Sequence, residues 1–351
     1  MGLQDVKTPL FLRNLWYFAL HARALKNGRL LHKTLLGEPI LLGRTREGEA
    51  FALRDLCPHR GVPLSRGQLL DGTVECPYHG WRFKPSGQCA HIPSLVGEEG
   101  VDPAKIAVRK YPLAERNGLI WIYMGEDAQA RETATPAPEL PLSPDARPTL
   151  IESQLFPCAI DHAVVGLMDP AHGPFVHKAW WWRSKKSIHA KAKKYAPSHL
   201  GFTMVTHKPS SNSTLYKILG GDITTEISFE LPGIRVEHIK AGRNEVVGLT
   251  TCTPLNDAET EVTQTFFWNI AWIAPFKPIA QRVARTFLGQ DRHMVTLQQE
   301  GLKFNPRLML IQDADVPAMW YHRLKKEWAE AQGAKRLFVN PVTETTLRWR
   351  S

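Results

Sequence analysis

The segment from Cys57 to His79 restricts this chain more than any other. It reads Cys57-Pro58-His59, then sixteen residues, then Cys76-Pro77-Tyr78-His79. Two thiolates and two neutral imidazoles can hold a zinc ion. They can equally hold a two-iron, two-sulfide cluster with both Cys on one iron and both His on the other. The spacing favours the cluster, because Cys-x-His is shorter than the usual zinc-finger hook and no His-x3-5-His half follows. Each Cys is followed by Pro, and Gly61, Gly67 and Gly80 lie in the loops. Such loops are stiff and bring backbone N–H groups near sulfur. A structural zinc ribbon is the rival reading.

These residues, together with Arg60-Gly61 and Tyr78-His79-Gly80-Trp81, resemble the Rieske iron–sulfur domain. The flanking sequence suits that likeness. Lys33–Leu42, Phe51-Ala52-Leu53, Trp81-Arg82-Phe83 and Leu119–Tyr123 read as short strands, and Gly48 and Pro85-Ser86-Gly87 as turns. Residues 10–125 are therefore expected to form a small β domain with the cluster at hairpin tips. From 126 to 149 the composition changes to a stiff, extended linker carrying Pro136, Pro138, Pro141, Pro144 and Pro148.

Residues 150–351 read as a second domain of a different class. A helix with a break is expected over Ile160–Val176. Strands follow at Phe202–Thr206, Thr224–Phe229, Ile234–Ile239, Val246–Thr253 and Val262–Trp272, with a turn at Asn256-Asp257. A long helix spans Pro278–Leu302 and a last amphipathic helix Val316–Gln332. Antiparallel strands gripped by helices make an α+β domain.

A second ligand set lies in Asp169-Pro170-Ala171-His172-Gly173-Pro174-Phe175-Val176-His177. Histidines five apart diverge on a regular helix, where neighbours are three or four apart. Gly173-Pro174 would reset the helix and let both rings turn inward. Two His and one carboxylate with open positions form the facial triad of non-haem Fe(II) oxygenases. Asp169 is close in sequence. Asp291 is the better third ligand, because it fills the missing step of the stripe Val283, Phe287, Val295, and a carboxylate facing a core needs a metal or a cation. Asp313 and Asp315 are further candidates, but they precede the last helix and read as its caps.

Both constellations, in this order, resemble the α subunit of a Rieske non-haem iron oxygenase, over nearly the whole chain. Two departures stand out. Gln290 replaces a family Glu before Asp291, and Gly166 and Val165 stand where many members carry an Asn upstream of Asp169. The second departure speaks against the ring-dihydroxylating members. Asn14-Leu15-Trp16-Tyr17 and Asp169–His172 look most like the monooxygenase and demethylase branch. The resemblance implies that Cys57 and Cys76 bind one cluster iron, and His59 and His79 the other. It implies that His172, His177 and Asp291 hold mononuclear Fe(II), and that Asp169 bridges His172 to a cluster His of a neighbouring subunit. It further implies a helix-grip (START-like) catalytic domain, a homotrimer, O2 as co-substrate, and electrons from NAD(P)H through a reductase, with or without a ferredoxin. No nucleotide-binding glycine motif is present for direct reduction. The expected outcome is hydroxylation or oxidative demethylation of a hydrophobic, aromatic or polycyclic substrate. Alternatives are ring cis-dihydroxylation and a pure electron-transfer Rieske protein.

Composition narrows the partners. The net charge of +10 invites nucleic acid, but no nucleic-acid motif accompanies it. Part of the excess sits in Arg183, Lys185, Lys186, Lys191, Lys193 and Lys194. These read as a solvated surface or a dock for an acidic electron donor. No apolar run reaches the ~18–20 residues of a membrane span, and the polar start lacks a signal core; both point to the cytoplasm. Cys89, Cys158 and Cys252 are expected to be small buried hydrophobes. Trp180-Trp181-Trp182 reads as aromatic packing or a pocket wall.

Overall fold

Short strands and tight turns give Arg13–Glu139 three small antiparallel sheets. The computed structural model describes residues 9–96, 101–126, 135–177, 188–209 and 222–351. The strands are β1 (Leu15–His21), β2 (Leu30–Leu35), β3 (Glu38–Arg44), β4 (Ala50–Arg54), β5 (Gln68–Leu70), β6 (Thr73–Glu75), β7 (Arg82–Phe83), β8 (Cys89–His91), β9 (Lys110–Tyr111), β10 (Leu113–Arg116) and β11 (Leu119–Met124). Their orders are β1-β11-β10, β2-β3-β4-β9 and β5-β6-β7-β8. Two-residue turns at Asp71-Gly72 and Asn117-Gly118, with positive φ at both residues, close β5–β6 and β10–β11. Such turns match the twist of paired strands. Leu41, Phe51, Leu53, Leu64, Val74, Phe83 and Ile92 pack with Cys57, Cys76 and Cys89 into one core. Buried Glu38 binds Arg13 and the Tyr111 hydroxyl, with Arg54 and Arg109 each at 3.8 Å.

The remainder, Leu140–Ser351 with the residues before Arg13, forms the other unit. Its strands are β12 (Leu150–Phe156), β13 (Ala190–Ser198), β14 (Gly201–His207), β15 (Ile223–Glu230), β16 (Ile234–Ala241), β17 (Asn244–Pro254), β18 (Thr260–Trp268) and β19 (Thr345–Arg350). They make one eight-stranded sheet, ordered β12-β18-β17-β16-β15-β14-β13-β19, with every pairing antiparallel. Its helices among the described residues are α1 (Ile160–Met168), α2 (Gly173–Val176), α3 (Lys277–Leu302) and α4 (Val316–Gly333). The expected α+β antiparallel class is what the chain adopts. Helix α3 lies on β12, where Gln281 donates to Ile151 O at 2.7 Å and Arg285 pairs with Glu152 at 3.0 Å. Helix α4 is fastened to α1 by Lys325 and Tyr321, each 2.6 Å from Asp161.

Several expectations need correction. The strand expected over Val262–Trp272 ends at Trp268. Asn269 caps it by accepting from Glu245 N at 2.8 Å and donating to Arg243 O, and a 3-10 turn over Ala271–Phe276 follows. Strands β12, β13 and β19 were not expected, because lysine-rich or solitary edge strands carry a weak propensity signal. Within the expected linker, Trp16 donates to Thr135 O at 2.8 Å and Arg116 to Ala137 O at 2.9 Å, so Thr135–Glu139 pack with the first unit. Asp315 stands at the N-cap of α4, but its carboxylate accepts from Ile311 N at 2.8 Å rather than capping the helix, and Asp313 accepts from Val316 N at 3.4 Å through its carbonyl, not its side chain. All five cysteines are buried and none forms a disulfide. Among the described residues, no helix is long and apolar enough to cross a membrane. Trp180-Trp181-Trp182, Arg183, Lys185 and Lys186 lie outside the described residues.

Candidate functional site

The two Cys–His hooks fold into the same local turn. Gly61 N donates to Cys57 O at 2.8 Å, and Gly80 N donates to Cys76 O at 3.1 Å. Both glycines lie in the left-handed region, at φ +69° and +68°, which a side chain adopts only with strain. Each turn is closed across its base, by Cys57 N to Val62 O at 2.9 Å and by Cys76 N to Trp81 O at 2.8 Å. The result is two buried thiols facing each other and two exposed imidazoles whose rings lie 4.6 Å apart. Trp81 stacks on His59 at 4.8 Å with nearly parallel planes. Burial pushes the Cys57 thiol up to about 11. It needs a metal to become a thiolate in this apolar setting. A soft sulfur pair inside and a nitrogen pair outside is a donor set that fits a two-iron, two-sulfide cluster.

The second ligand set is assembled differently. Helix α1 stops at Met168, and Asp169 accepts from Ala171 N at 2.6 Å to turn the chain. His172 then caps the start of the single turn α2, and His177 caps its end. On a continuous helix, residues five apart would point about 140° away from each other. At the two caps their rings converge, with the Nε2 atoms 3.1 Å apart. Asp291 comes from α3, on the face that buries Ala284, Leu288 and Val295. Its Oδ1 lies 3.2 Å from His177 Nε2 and 3.8 Å from His172 Nε2. The three donor atoms fall within 4.8 Å of one another.

The outer nitrogens decide what the inner ones can do. His172 Nδ1 donates to Asp169 O at 2.8 Å, and His177 Nδ1 donates to Gln290 Oε1 at 3.0 Å. Both rings therefore carry their proton on Nδ1, and two Nε2 lone pairs and a carboxylate oxygen point at one spot. Three lone pairs so close repel unless a cation sits among them, so this set fits a divalent metal. Phe287 stacks on His177 at 4.6 Å and fixes the ring plane. The Asp169 carboxylate lies on the far side of His172, 3.7 Å from Nδ1. Asp291, and neither Asp313 nor Asp315, stands with the two His.

A cavity in two lobes opens on this triad. One lobe, of about 310 Å³, runs over the inner face of the sheet past Phe202, Met204, Ile227 and Phe229. The other, of about 300 Å³, lies between α1, α3 and the start of α4. Asp169, His172, Asp291, Thr250 and Gln264 border both. Sequence reasoning missed Gln290 as the partner of His177, and it missed the cavity wall. Only the wall had a readable signal, the alternation along Ile223–Glu230. His207 also borders the first lobe. Lys191 and Lys193, expected on a solvated surface, also border it, while Lys194 faces out and pairs with Glu344 at 2.7 Å.

Comparison with known proteins agrees with this division of the chain. Residues 15–112 match the Rieske [2Fe-2S] domain, and residues 164–331 match the vanillate O-demethylase oxygenase C-terminal domain. The dicamba O-demethylase oxygenase component of Stenotrophomonas maltophilia is 40% identical over 169 residues, 48% of each chain. An iron-sulfur subunit of a toluene-4-sulfonate monooxygenase system from Comamonas testosteroni is 44% identical over 121 residues, 34% of each chain. The chain thus spans about half the length, or less, of these curated relatives. A crystal structure of dicamba monooxygenase bound to dicamba superposes with a TM-score of 0.72 at 25% identity, covering 92% of this chain and 99% of that one. A Pseudomonas putida protein solved with caffeine gives 0.74 at 19% identity, covers 92% of both chains, and shares the fold. With a Rieske module leading and a demethylase-type oxygenase module following on one polypeptide, this chain belongs to the Rieske oxygenases.

Proposed function

We propose that this chain is the terminal oxygenase of a multicomponent Rieske system that hydroxylates or oxidatively demethylates a hydrophobic substrate. The observation that carries it is the convergence of His172 Nε2, His177 Nε2 and Asp291 Oδ1 beside a cavity, with both outer imidazole nitrogens already engaged. In this reading Cys57 and Cys76 hold one cluster iron, His59 and His79 the other, and the triad holds Fe(II). When bound, the cluster passes single electrons and the Fe(II) activates O2 for insertion into a C–H bond. The chain's own part is geometric. Gln290 and the Asp169 carbonyl hold the two rings in the ligating tautomer. Phe287 covers one face of the His177 ring. The exposed edges of His59 and His79 offer the point where electrons leave the first unit.

Asp169 is proposed to bridge His172 and a cluster His of a neighbouring subunit in a homotrimer. Its carboxylate, 3.7 Å from His172 Nδ1 and one-third exposed, supports the role. The apolar surface of Trp272, Phe276, Ile279, Phe304, Leu308 and Met309, all more than half exposed, suits burial against other copies. Electrons would come from NAD(P)H through a reductase, with or without a ferredoxin, in the cytoplasm. Ring dihydroxylation is the second reading, and Gly166 in place of an upstream Asn weighs against it. Metal and sulfide analysis tests the proposal first. Three irons and two sulfides per chain are expected, and zinc, or two irons alone, overturns it. A generic reductase should then support substrate-dependent O2 uptake and formaldehyde release from a methoxyarene.

A further inference from the structure

The wall of the sheet-side lobe is sorted by strand register. Gln264, Thr250, Arg235, Phe229 and Phe202 face each other in one row across β18, β17, β16, β15 and β14. The next row holds Glu237, Ile227, Met204 and Tyr195. Beyond it lie Thr225 paired with His207, and then Lys193 and Lys191 on the same face of β13. The lobe is therefore metal-facing at one end, mostly apolar in the middle apart from Glu237, and basic at the far end.

The basic end is charged and incompletely answered. Lys191 donates to the Ser351 hydroxyl at 2.8 Å, while Arg235, two rows nearer the metal-facing end, is matched by Glu237 at 3.2 Å. Lys193 donates only to a backbone carbonyl, Lys208 O at 3.0 Å, among its bonds to described residues. Burial alone lowers its pKa, with no carboxylate acting on it. The segments 178–187 and 210–221 contain no Asp or Glu that could supply one. Across β14 from it, beyond His207, Thr225 is 2% exposed, and its hydroxyl has no hydrogen-bond partner among the described residues. His207 donates its Nδ1 proton to Val205 O at 2.9 Å, and burial, with Lys193 adding to it and Glu237 opposing, lowers its pKa. A half-buried ammonium and an unanswered hydroxyl bordering one cavity lack an anion that can also accept a hydrogen bond.

Resting on the oxygenase reading, we propose that the substrate is an organic acid: an anionic head, carboxylate or sulfonate, held by Lys193 and Thr225, on an apolar body lying against Phe202, Met204 and Ile227. Lys191 adds positive potential around the head. Neutral analogues of the same shape leave Lys193 uncompensated and bind weakly, because a buried polar partner left unpaired discriminates strongly.

The test uses the reconstituted holoenzyme, anaerobic, with calorimetric binding of matched acid and amide pairs: 4-methoxybenzoate against 4-methoxybenzamide, and 6-methoxy-2-naphthoate against its amide. In at least one pair the acid should bind about tenfold tighter or more. Lys193→Met should remove that preference and leave amide binding unchanged, Lys193→Arg should retain it, and Lys194→Met, on the outer face, should change nothing. Equal binding of acid and amide in both pairs, no binding by either acid, or a preference surviving in Lys193→Met overturns the proposal. Lys193-dependent acid binding without O2 uptake or product would support the acid site and count against the oxygenase reading, so the two fail separately.

Discussion

The two candidate metal centres contrast in how they are built. The hook centre uses four residues within a 23-residue stretch, from Cys57 to His79, and each half is a self-contained turn locked by its own glycine. The triad joins a cap-to-cap His pair to an Asp more than a hundred residues later, on another helix. The first is a property of local backbone geometry, and the second exists only when α3 is docked on the sheet. Their supporting bonds differ likewise. The hooks are closed by main-chain bonds, whereas the His rings are aimed by Gln290 and a carbonyl at a helix end.

The sharpest way to break this comparison is His172→Ala. Iron should fall from three to two per chain and turnover by about 10³-fold or more, the several kcal/mol that a metal centre supplies. The visible cluster spectrum should stay intact. Loss of that spectrum would show that the centres do not form independently.

Acid should act on the hook unit through His21, packed against Phe18 at 5.0 Å. Burial, with Arg23 and Lys33 adding to it, lowers its pKa to about 4, and neither ring nitrogen has a partner among the described residues. The unfolded chain binds this proton below about pH 6.5 while the folded one does not until about pH 4. Stability is therefore full above pH 6.5 and declines as pH falls through that window, by up to about 3 kcal/mol. Thermal melts followed at the cluster bands at pH 7 and pH 5 should show the drop, and His21→Phe should flatten it. An unchanged pH slope in that variant would refute the assignment.

Gln290→Leu should weaken iron binding at the triad about 10–100-fold, the usual cost of losing a ligand's orienting partner. Gln290→Glu, which can still accept from His177, should keep most of the affinity. Iron titration with the cluster spectrum as internal control measures both.

The smallest effect separates the two hooks from each other. Gly61→Ala should cost about 1–2 kcal/mol for a left-handed residue, since its Cβ meets open space. Gly80→Ala should cost more, because its Cβ would come 3.1 Å from Pro93 Cγ. Equal cluster retention in both variants would mean that Pro93 yields freely.

Legibility followed the same division. Cys57, His59, Cys76 and His79 were readable because their spacing is their geometry. His172 and His177 were readable as a pair, since Gly173-Pro174 announces the break between them. Asp291 was inferred from the stripe Val283, Phe287, Val295, of which only Val295 is buried, with Ala284 and Leu288 sharing the buried face. Lys193 was misread as surface, because a run of lysines looks solvated until strand pairing assigns alternate residues to opposite faces. The end of β18 at Trp268 was missed because an Asn side chain bonding a neighbouring strand leaves no local mark.

By itself the sequence determined the two hooks, the order of a small β unit before an antiparallel α+β unit, and a broken helix bearing two histidines. Those features depend on contacts between residues a few positions apart, where residue type dictates backbone angles. The tertiary structure alone decided that Gln290 aims His177, how near the Asp291 carboxylate comes to the two Nε2 atoms, and that Lys193 and Thr225 border one cavity. Those are consequences of register and helix docking, set by packing between segments that no short window of sequence contains.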